Sequence, residues 1–439
     1  MTHRCSHWML LTLYRAIFSL AIAVFVTIPP LWLFSSKRRT TLFKRLGWQS
    51  YPCRSVPGEG QPAYTPVWLH ALSIGELLSA GGLIQRLHRE LRSRPLYLSV
   101  STSSAFAMAR DRFASSCDGI FYFPYDVGFA VKRCLDAVDP ALIVLIETDI
   151  WPGFLAEVRR RGIPSLLVNG RLSPESFRTY SRLRLLFEPS FNTFWGIYPQ
   201  SPGEAERFMA LGVAPDRLRP TGNLKFDVAA ALPSADAVAA MREAFFISSE
   251  ARILIAGSTH RGEEALIRSC FLRLRDHFPS LQLIIVPRRP DRGAEVLELF
   301  QGDDVAAALA SQLDQPRPVV VVDRMGYLSR LYALADVAVI GGSFVPQGGQ
   351  NPIEPAAWGK PVVFGPDMHD FPDVAAWLLN AGGAIQARNE ADLYEACHRL
   401  LSDREAAKTI GGQARSVVIE HQGATEKVLQ ELVGLLGGR

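Results

Sequence analysis

Residues 141–152 read ALIVLIETDIWP: six apolar side chains in succession, then Glu147, Thr148 and Asp149, then Ile150 and Trp151 leading to Pro152. An apolar run without alternation is what a strand buried on both faces requires, and sheets covered on both faces are parallel ones. Pro152 suits the first turn of a helix, where a missing N–H leaves no bond unmade. The stretch therefore reads as a strand, a polar turn and a helix. That is one unit of a parallel sheet, with its carboxylates at the strand end where ligands of such sheets collect.

The same grammar extends in both directions. Before it come VWLHAL at 67–72, a helix from about Glu76 to Leu91, PLYLSVST at 95–102 and GIFYFPYD at 119–126; after it come PSLLVNGR at 164–171 and FWGIYPQS at 194–201. A second series follows: RILIAGST at 252–259, LQLIIVPR at 281–288, PVVVVDRM at 318–325, DVAVIGGS at 336–343 and PVVFGP at 361–366, with a helical stretch from Ala391 and a Gly-rich tail. Strands alternating with helical patterns define an α/β fold with two Rossmann-like, doubly wound domains. A chain of 439 residues with 48% hydrophobic content is long enough for two cores. The expected division is a membrane anchor with its basic flank at 1–50, a first domain at 51–220, a connector at 221–250, and a second domain at 251–439. Two sheet edges facing across a cleft suit a reaction of two substrates. Neither series opens on G-x-G-x-x-G and no Walker A motif occurs, so nicotinamide and P-loop chemistry have no support.

The net charge of +4 conceals a skewed distribution. Before residue 60 the only acid is Glu59, against Arg4, Arg15, Lys37, Arg38, Arg39, Lys44, Arg45 and Arg54. The uncharged stretch from Ala16 to Phe34 is about long enough to cross a bilayer. Its stronger basic flank follows it, which by the positive-inside rule leaves the rest of the chain in the cytoplasm. Trp32 and Trp48 are candidate interfacial anchors. Alternatively, Pro29 and Pro30 break the helix and leave a segment that dips into one leaflet. No basic stripe or stacking platform suggests nucleic acid. The six cysteines, at 5, 53, 117, 134, 270 and 397, lack the spacing of zinc sites or disulfide frameworks and read as small buried hydrophobes in a reducing compartment.

Several residues at strand ends can carry chemistry. Glu76 follows Ser73, Ile74 and Gly75 at the start of a helix, whose N-terminus favours an ionised carboxylate. It reads either as a general base or as an acid that merely complements the helix dipole. Glu147 and Asp149 form an E-x-D pair; two carboxylates alone do not specify a metal, and none is expected. Thr148 or Asp149 could equally cap the helix at Pro152. Lys225, in TGNLKFD, can bring positive charge to the exit of the first domain, with Gly222 and Asn223 marking a shaped turn. The second series offers Gly257, Ser258 and Thr259, then Gly341, Gly342 and Ser343, where small residues let a backbone approach a phosphate. Gly348 to Glu354 form a loop entering a helix at Pro352 and Ile353, with Glu354 placed to hold a ribose. Arg288 can meet a phosphate through its planar donors, and Met325 and Gly326 can border a base.

Taken together, WLHALSIGE (68–76), ETDIWP (147–152), NGRLS (169–173), TGNLKFD (221–227), GSTHRGEE (257–264), VPRRP (286–290) and GGSFVPQGGQNPIEPAAWGKPVVFGP (341–366) resemble the Kdo transferases of lipopolysaccharide assembly. These pass 3-deoxy-D-manno-oct-2-ulosonic acid (Kdo) from CMP-Kdo to a lipid A precursor. The resemblance implies a GT-B fold, acceptor lipid on the first domain, CMP-Kdo on the second, no cofactor, and a place at the cytoplasmic face of the bacterial inner membrane. It assigns Glu76 as the general base of an inverting transfer, and Glu147 and Lys225 as supports of the transition state. It assigns CMP contacts to Pro287, Arg288, Met325, Gly326, Tyr327, Asn351, Pro352, Ile353 and Glu354, with Ser258 and Thr259 beside them. The sequence departs from the family pattern at Asp149, where glutamate is common, at Tyr327, where an acid is usual, and at Arg289 and Gln350, where histidine is. Rival readings are a GT-B transferase using another nucleotide sugar and lipid, a sugar-nucleotide epimerase, and a noncatalytic membrane scaffold.

Overall fold

No residue of the strand β1 (Val67–Ala71) reaches solvent, which is why it lies inside its sheet rather than at an edge. Its side chains alternate between two apolar layers. Val67, Leu69 and Ala71 pack with the helices that follow the strand. Trp68 packs on the other face against Phe121, Phe123 and Phe154. The computed structural model describes residues 2–27, 36–52, 65–91, 94–229, 234–301 and 305–437. The chain folds as two units, Met1–Val228 with Gly423–Arg439, and Ala229–Gln422.

In the first unit, β1 pairs with β2 (Leu96–Val100) and β4 (Leu142–Ile146), flanked outward by β3 (Gly119–Tyr122), β5 (Ser165–Gly170) and β6 (Gly196–Pro199). The order is β3-β2-β1-β4-β5-β6, parallel throughout. The chain winds outward from β1 to β3, then restarts at β4 on the other side. That reversal is the switch point at which such sheets bind ligands beyond the strand ends.

The second unit repeats the scheme with β7 (Arg252–Thr259), β8 (Leu281–Pro287), β9 (Ala307–Leu309), β10 (Val319–Val321), β11 (Val337–Ile340), β12 (Val362–Phe364) and β13 (Ala384–Gln386). Their order, β13-β12-β11-β7-β8-β10-β9, is again parallel and reverses between β7 and β11. The α/β expectation holds in both units. The two outermost strands, β9 and β13, were not anticipated, because three residues carry no periodicity. The helix expected over 76–91 is two, Ile74–Ser79 and Gly81–Glu90, joined at Ala80.

The last helix, Ala424–Gly437, belongs with the first unit, not with the second as the boundary 251–439 supposed. Ala424, Val428, Leu432 and Leu436, spaced four apart, complete the core beneath β1. The Asp227 carboxylate accepts from Gly423 N and Thr425 N, both at 2.6 Å.

The N-terminal helix, Thr2–Thr27, also differs from expectation. No helix among the described residues is long and apolar enough to cross a membrane; Pro29, Pro30 and Trp32 lie outside those residues, as do the side chains of Lys37, Arg38 and Arg39. The helix begins well before Ala16 and is bound along one side to the first unit. Leu11 is buried, Tyr14 Oη donates to Asp126 Oδ2 (2.8 Å), Arg15 Nη2 donates to Gly153 O (3.1 Å), and Phe18 meets Trp151 edge to face. Arg15 thus docks the helix onto the first unit. Arg45, expected in the basic flank, turns inward to Phe123 O (3.0 Å) and lies over the Tyr125 ring. Cys117, Cys134, Cys270 and Cys397 are buried free thiols, and burial pushes that of Cys117 up to about 12. Cys53 and the side chain of Cys5 lie outside the described residues.

Candidate active site

At the first switch point, Ser73 caps the helix Ile74–Ser79 by accepting from Glu76 N (3.3 Å), and the Glu76 carboxyl folds back onto Leu72 N (2.5 Å) and Ser73 Oγ (3.3 Å). The carboxyl thus closes a box around the helix start one residue before the N-cap, so the bland role of Glu76 is realised in its hydrogen bonds. Its electrostatics are another matter. A capping acid in solvent is stabilised as the anion, whereas Glu76 is only 9% exposed. Burial, with the charges of Glu147 and Asp149, pushes its pKa up to about 8 against the backbone bond from Leu72. Desolvation and like charge outweigh the helix terminus, which corrects the expectation of an acid held ionised by the dipole.

Glu147 follows β4 with φ +57°, in the left-handed region that side chains with a Cβ avoid. Such strain persists where the surroundings impose it, often at functional positions. Its carboxylate pairs with Lys225 Nζ at 3.3 Å. Lys225 is presented by the turn the sequence marked: Gly222 has φ +101°, Asn223 Oδ1 accepts from Lys225 N (3.0 Å), and the buried Asn169 accepts from Leu224 N (3.0 Å). Glu147 and Lys225, 78 positions apart in sequence, are thereby brought together.

Neither Thr148 nor Asp149 caps the helix Pro152–Arg160. Thr148 Oγ1 bonds with Arg171 N and O, and Asp149 Oδ2 accepts from His70 Nε2 at 3.0 Å. The cap comes from Asp126, whose Oδ2 accepts from Gly153 N (2.8 Å). Asp126 and His70 escaped the sequence reading. Asp126 closes GIFYFPYD without a motif of its own, and His70 sits mid-strand, where alternation marks only a buried position.

At the second switch point the strand β7 breaks register between Gly257 and Thr259, and Ser258 takes φ +58°. Gly341, at the end of β11, passes so close that a Cβ would lie 2.4 Å from Ser258 O; only glycine fits. Glu263 locks the two loops together, accepting from His260 N (2.7 Å), Gly342 N (2.6 Å) and Phe344 N (3.3 Å). It lies within GSTHRGEE, where spacing alone gives it no role. Thr259 is fully buried, yet its Oγ1 has no hydrogen-bond partner among the described residues.

Beside Thr259 opens a pocket of about 480 Å³ lined by His260 and four arginines. Arg261 pairs with Glu295 (2.9 Å), Arg289 with Asp291 (2.5 Å) and Arg292 with Glu264 (2.7 Å). The exposed Arg288 guanidinium makes no ion pair among the described residues, although its backbone N–H is fixed to Thr259 O (2.9 Å). Pro287 is buried behind it. Met325 and Tyr327 are exposed on either side of Gly326, whose φ is +86°. Asn351 Nδ2 donates to Glu354 Oε1 (3.2 Å) and its Oδ1 accepts from Ile353 N (3.1 Å). Ile353 is therefore a core residue with its N–H already used. Pro352 precedes the helix Ile353–Ala357 instead of starting its first turn. Of that foursome, Asn351 and Glu354 are the half-buried polar residues. Among the described residues no group of His, Cys, Asp or Glu side chains is arranged to hold a metal ion.

The family model "3-Deoxy-D-manno-octulosonic-acid transferase (kdotransferase)" matches residues 40–228, the stretch that contains Glu76, Glu147 and Lys225. The 3-deoxy-D-manno-octulosonic acid transferase of Haemophilus influenzae is 29% identical over 370 residues, covering 83% of this chain and 86% of that one. Among solved structures, the UDP-GlcNAc 2-epimerase of Neisseria meningitidis bound to UDP-GlcNAc aligns with a TM-score of 0.61 at 13% identity, over 84% of this chain and 100% of that one. Identity that low shows the shared GT-B-like fold alone. The transferase of Bordetella pertussis is 30% identical over 434 residues, covering 96% of this chain and 100% of that one. A likeness that runs the length of both chains is inheritance of a whole protein, not of a module, and the chain belongs to the 3-deoxy-D-manno-octulosonic acid transferase family.

Proposed function

We propose that this protein transfers Kdo from CMP-Kdo to a lipid A precursor, with the first unit acting on the acceptor and the second holding the donor. The acceptor hydroxyl forms a new C–O bond at the anomeric carbon, the bond from that carbon to the CMP phosphate oxygen breaks, and CMP leaves with the electron pair. Glu76 takes the hydroxyl proton. The observation that carries this reading is the Glu76 carboxyl, nearly enclosed beyond β1 and bonded to Leu72 N, its pKa raised to about 8 by burial and two neighbouring acids. A base with a pKa near the working pH combines availability with proton affinity. The Glu147–Lys225 pair stands beside it. On the donor side, Arg288, which pairs with no acid among the described residues, supplies a cation for the phosphate, whose negative charge grows as the bond breaks.

The N-terminal helix gives the protein its place. Met9, Leu13, Ile17, Leu20 and Val24 recur every three or four residues and are all exposed, while Tyr14, Arg15 and Phe18 bind the first unit. In this reading the helix lies along the cytoplasmic leaflet of the bacterial inner membrane, with its apolar stripe among the lipids. Phe43, Trp48 and Phe129, exposed and in tilted ring contact at 6.1 and 6.0 Å, add an aromatic contact of the kind that favours the interface.

Mass spectrometry of a tetra-acylated lipid A precursor incubated with CMP-Kdo and the protein tests the reaction. Each transfer adds one Kdo residue, and the number of additions is read from the same spectrum. Transfer from a UDP-sugar with CMP-Kdo ignored would defeat the donor assignment. For the membrane, L13S/L20S protein is expected to lose flotation with anionic vesicles. Undiminished flotation would remove the helix from that role.

A further inference from the structure

We propose that His70 is a positioning residue for the transfer: it fixes the orientation of the Asp149 carboxylate beside Glu76. This rests on the reading of Glu76 as the base.

His70 is a polar residue in the middle of the most buried strand of the first sheet. It is fully enclosed, with its ring stacked on Phe123 at 4.0 Å between centroids. Both ring nitrogens are engaged. Nδ1 lies 3.0 Å from Ser99 O and 2.9 Å from Ser99 Oγ, and that hydroxyl also accepts from Trp68 Nε1 (2.7 Å). Nε2 meets Asp149 Oδ2 at 3.0 Å, and a carboxylate can only accept there. The bonds thus run from Trp68 through Ser99 and His70 to Asp149. The parallel pairing of β1 with β2 sets His70 opposite Ser99, and that of β1 with β4 brings the residues after Ile146 to its other side.

A histidine needed only for packing would be exchanged for an apolar ring at no loss of function, and Phe123 already supplies an apolar partner. What an apolar ring lacks is the Nε2–H, which selects one orientation of Asp149. The groups around Glu76 are Leu72 N and Ser73 on its own turn, and Glu147 and Asp149 beyond β4. Behind these stand Lys225 on Glu147, and His70, Tyr14, Arg45 and Tyr180 around Asp149.

The test measures kcat and KM against pH for wild type, D149N, H70F, H70Q and E76Q, with folding followed by thermal melts. D149N removes the charge but keeps the shape, and is expected to move the acid limb of kcat/KM to lower pH by about one unit. H70F is expected to move it in the same direction, lower kcat by up to about 100-fold, and leave KM for CMP-Kdo unchanged. H70Q, whose amide N–H can take over the bond to Asp149, is expected to recover the wild-type limb. If E76Q is inactive while folded D149N keeps the wild-type limb, the positioning role is wrong and the base reading stands. D149N decides this even where H70F fails to fold. A folded H70Q with the same deficit as H70F overturns the proposal as well. Full activity in E76Q removes the base reading, and this inference with it.

Discussion

Beyond β1 and β4, the three acids are held by the chain itself: Glu76 by Leu72 N, Glu147 by Lys225 and Asp149 by His70. Beyond β7 and β8, the Arg288 guanidinium has no ion-pair partner among the described residues. The sheets share one winding rule, yet the acids at one switch point are paired within the chain, whereas the arginine at the other is paired with no acid among the described residues. Chemistry demands the first arrangement, because a base must be tuned before substrate arrives. Recognition demands the second, since donors already satisfied within the protein have little to offer a phosphate.

Substitutions that separate rate from binding probe this contrast most sharply. E76Q keeps the shape and loses the proton acceptor, so kcat is expected to fall by about 10²- to 10⁴-fold, with KM for CMP-Kdo unchanged. Steady-state kinetics with the donor varied reads both. A large rise in that KM with little loss of kcat would assign Glu76 to binding and dissolve the contrast.

Stability gives the next largest effect, with the opposite sign for the same variant. The Glu76 pKa of about 8 in the folded protein lies above its ordinary value of 4.5. Between those values the native state holds a proton that the unfolded state has lost. Stability is therefore full below the lower value, falls as pH rises, and has lost this contribution completely above about pH 8. E76Q escapes that loss. It is expected to be more stable than wild type at pH 8.5 by a few kcal/mol, at about 1.4 kcal/mol per pKa unit, and to show little of that gain near pH 4. Chemical denaturation at the two values checks it, and a gain independent of pH would mean that burial leaves Glu76 ionised. Smaller again is R288A, with an expected rise in KM for CMP-Kdo of about 10- to 100-fold and a lesser change in kcat. That follows from about 1.5–3 kcal/mol for a charged hydrogen bond.

The contrast explains which parts could be read from the sequence. Strands buried on both faces leave unbroken apolar runs, so ALIVLIET and its counterparts marked the sheets and their ends, and the candidate acids and Arg288 lay at those ends. Edge strands of three residues left no pattern, which hid β9 and β13. The last helix has the same amphipathic spacing whichever sheet it covers, so only its packing assigns it to the first unit. His70, Asp126 and Glu263 were illegible for another reason. Each acts through a partner distant in sequence, Asp149, Gly153 and Gly342 respectively, and no local spacing encodes that meeting. The pKa of Glu76 was read in the wrong direction because a helix N-terminus is visible in sequence and desolvation is not.

The smallest effect concerns the seam between the N-terminal helix and the acids of the first unit. Asp126 is almost fully buried and accepts from Tyr14 Oη and Gly153 N through the same Oδ2 atom, so one carboxylate joins the helix to the turn that follows Asp149. Y14F removes one donor and leaves the ring, including its stack with Phe18 at 5.8 Å. A net loss of about 1 kcal/mol is expected, which for a unit of this size lowers the melting temperature by about 2–4 °C. Because Gly153 N still holds Asp126, kcat measured with acceptor dispersed in detergent should stay near the wild-type value. A loss of kcat in detergent as deep as that of E76Q would mean that the helix shapes the acid cluster directly, and that the first switch point is finished only when the N-terminal helix is docked.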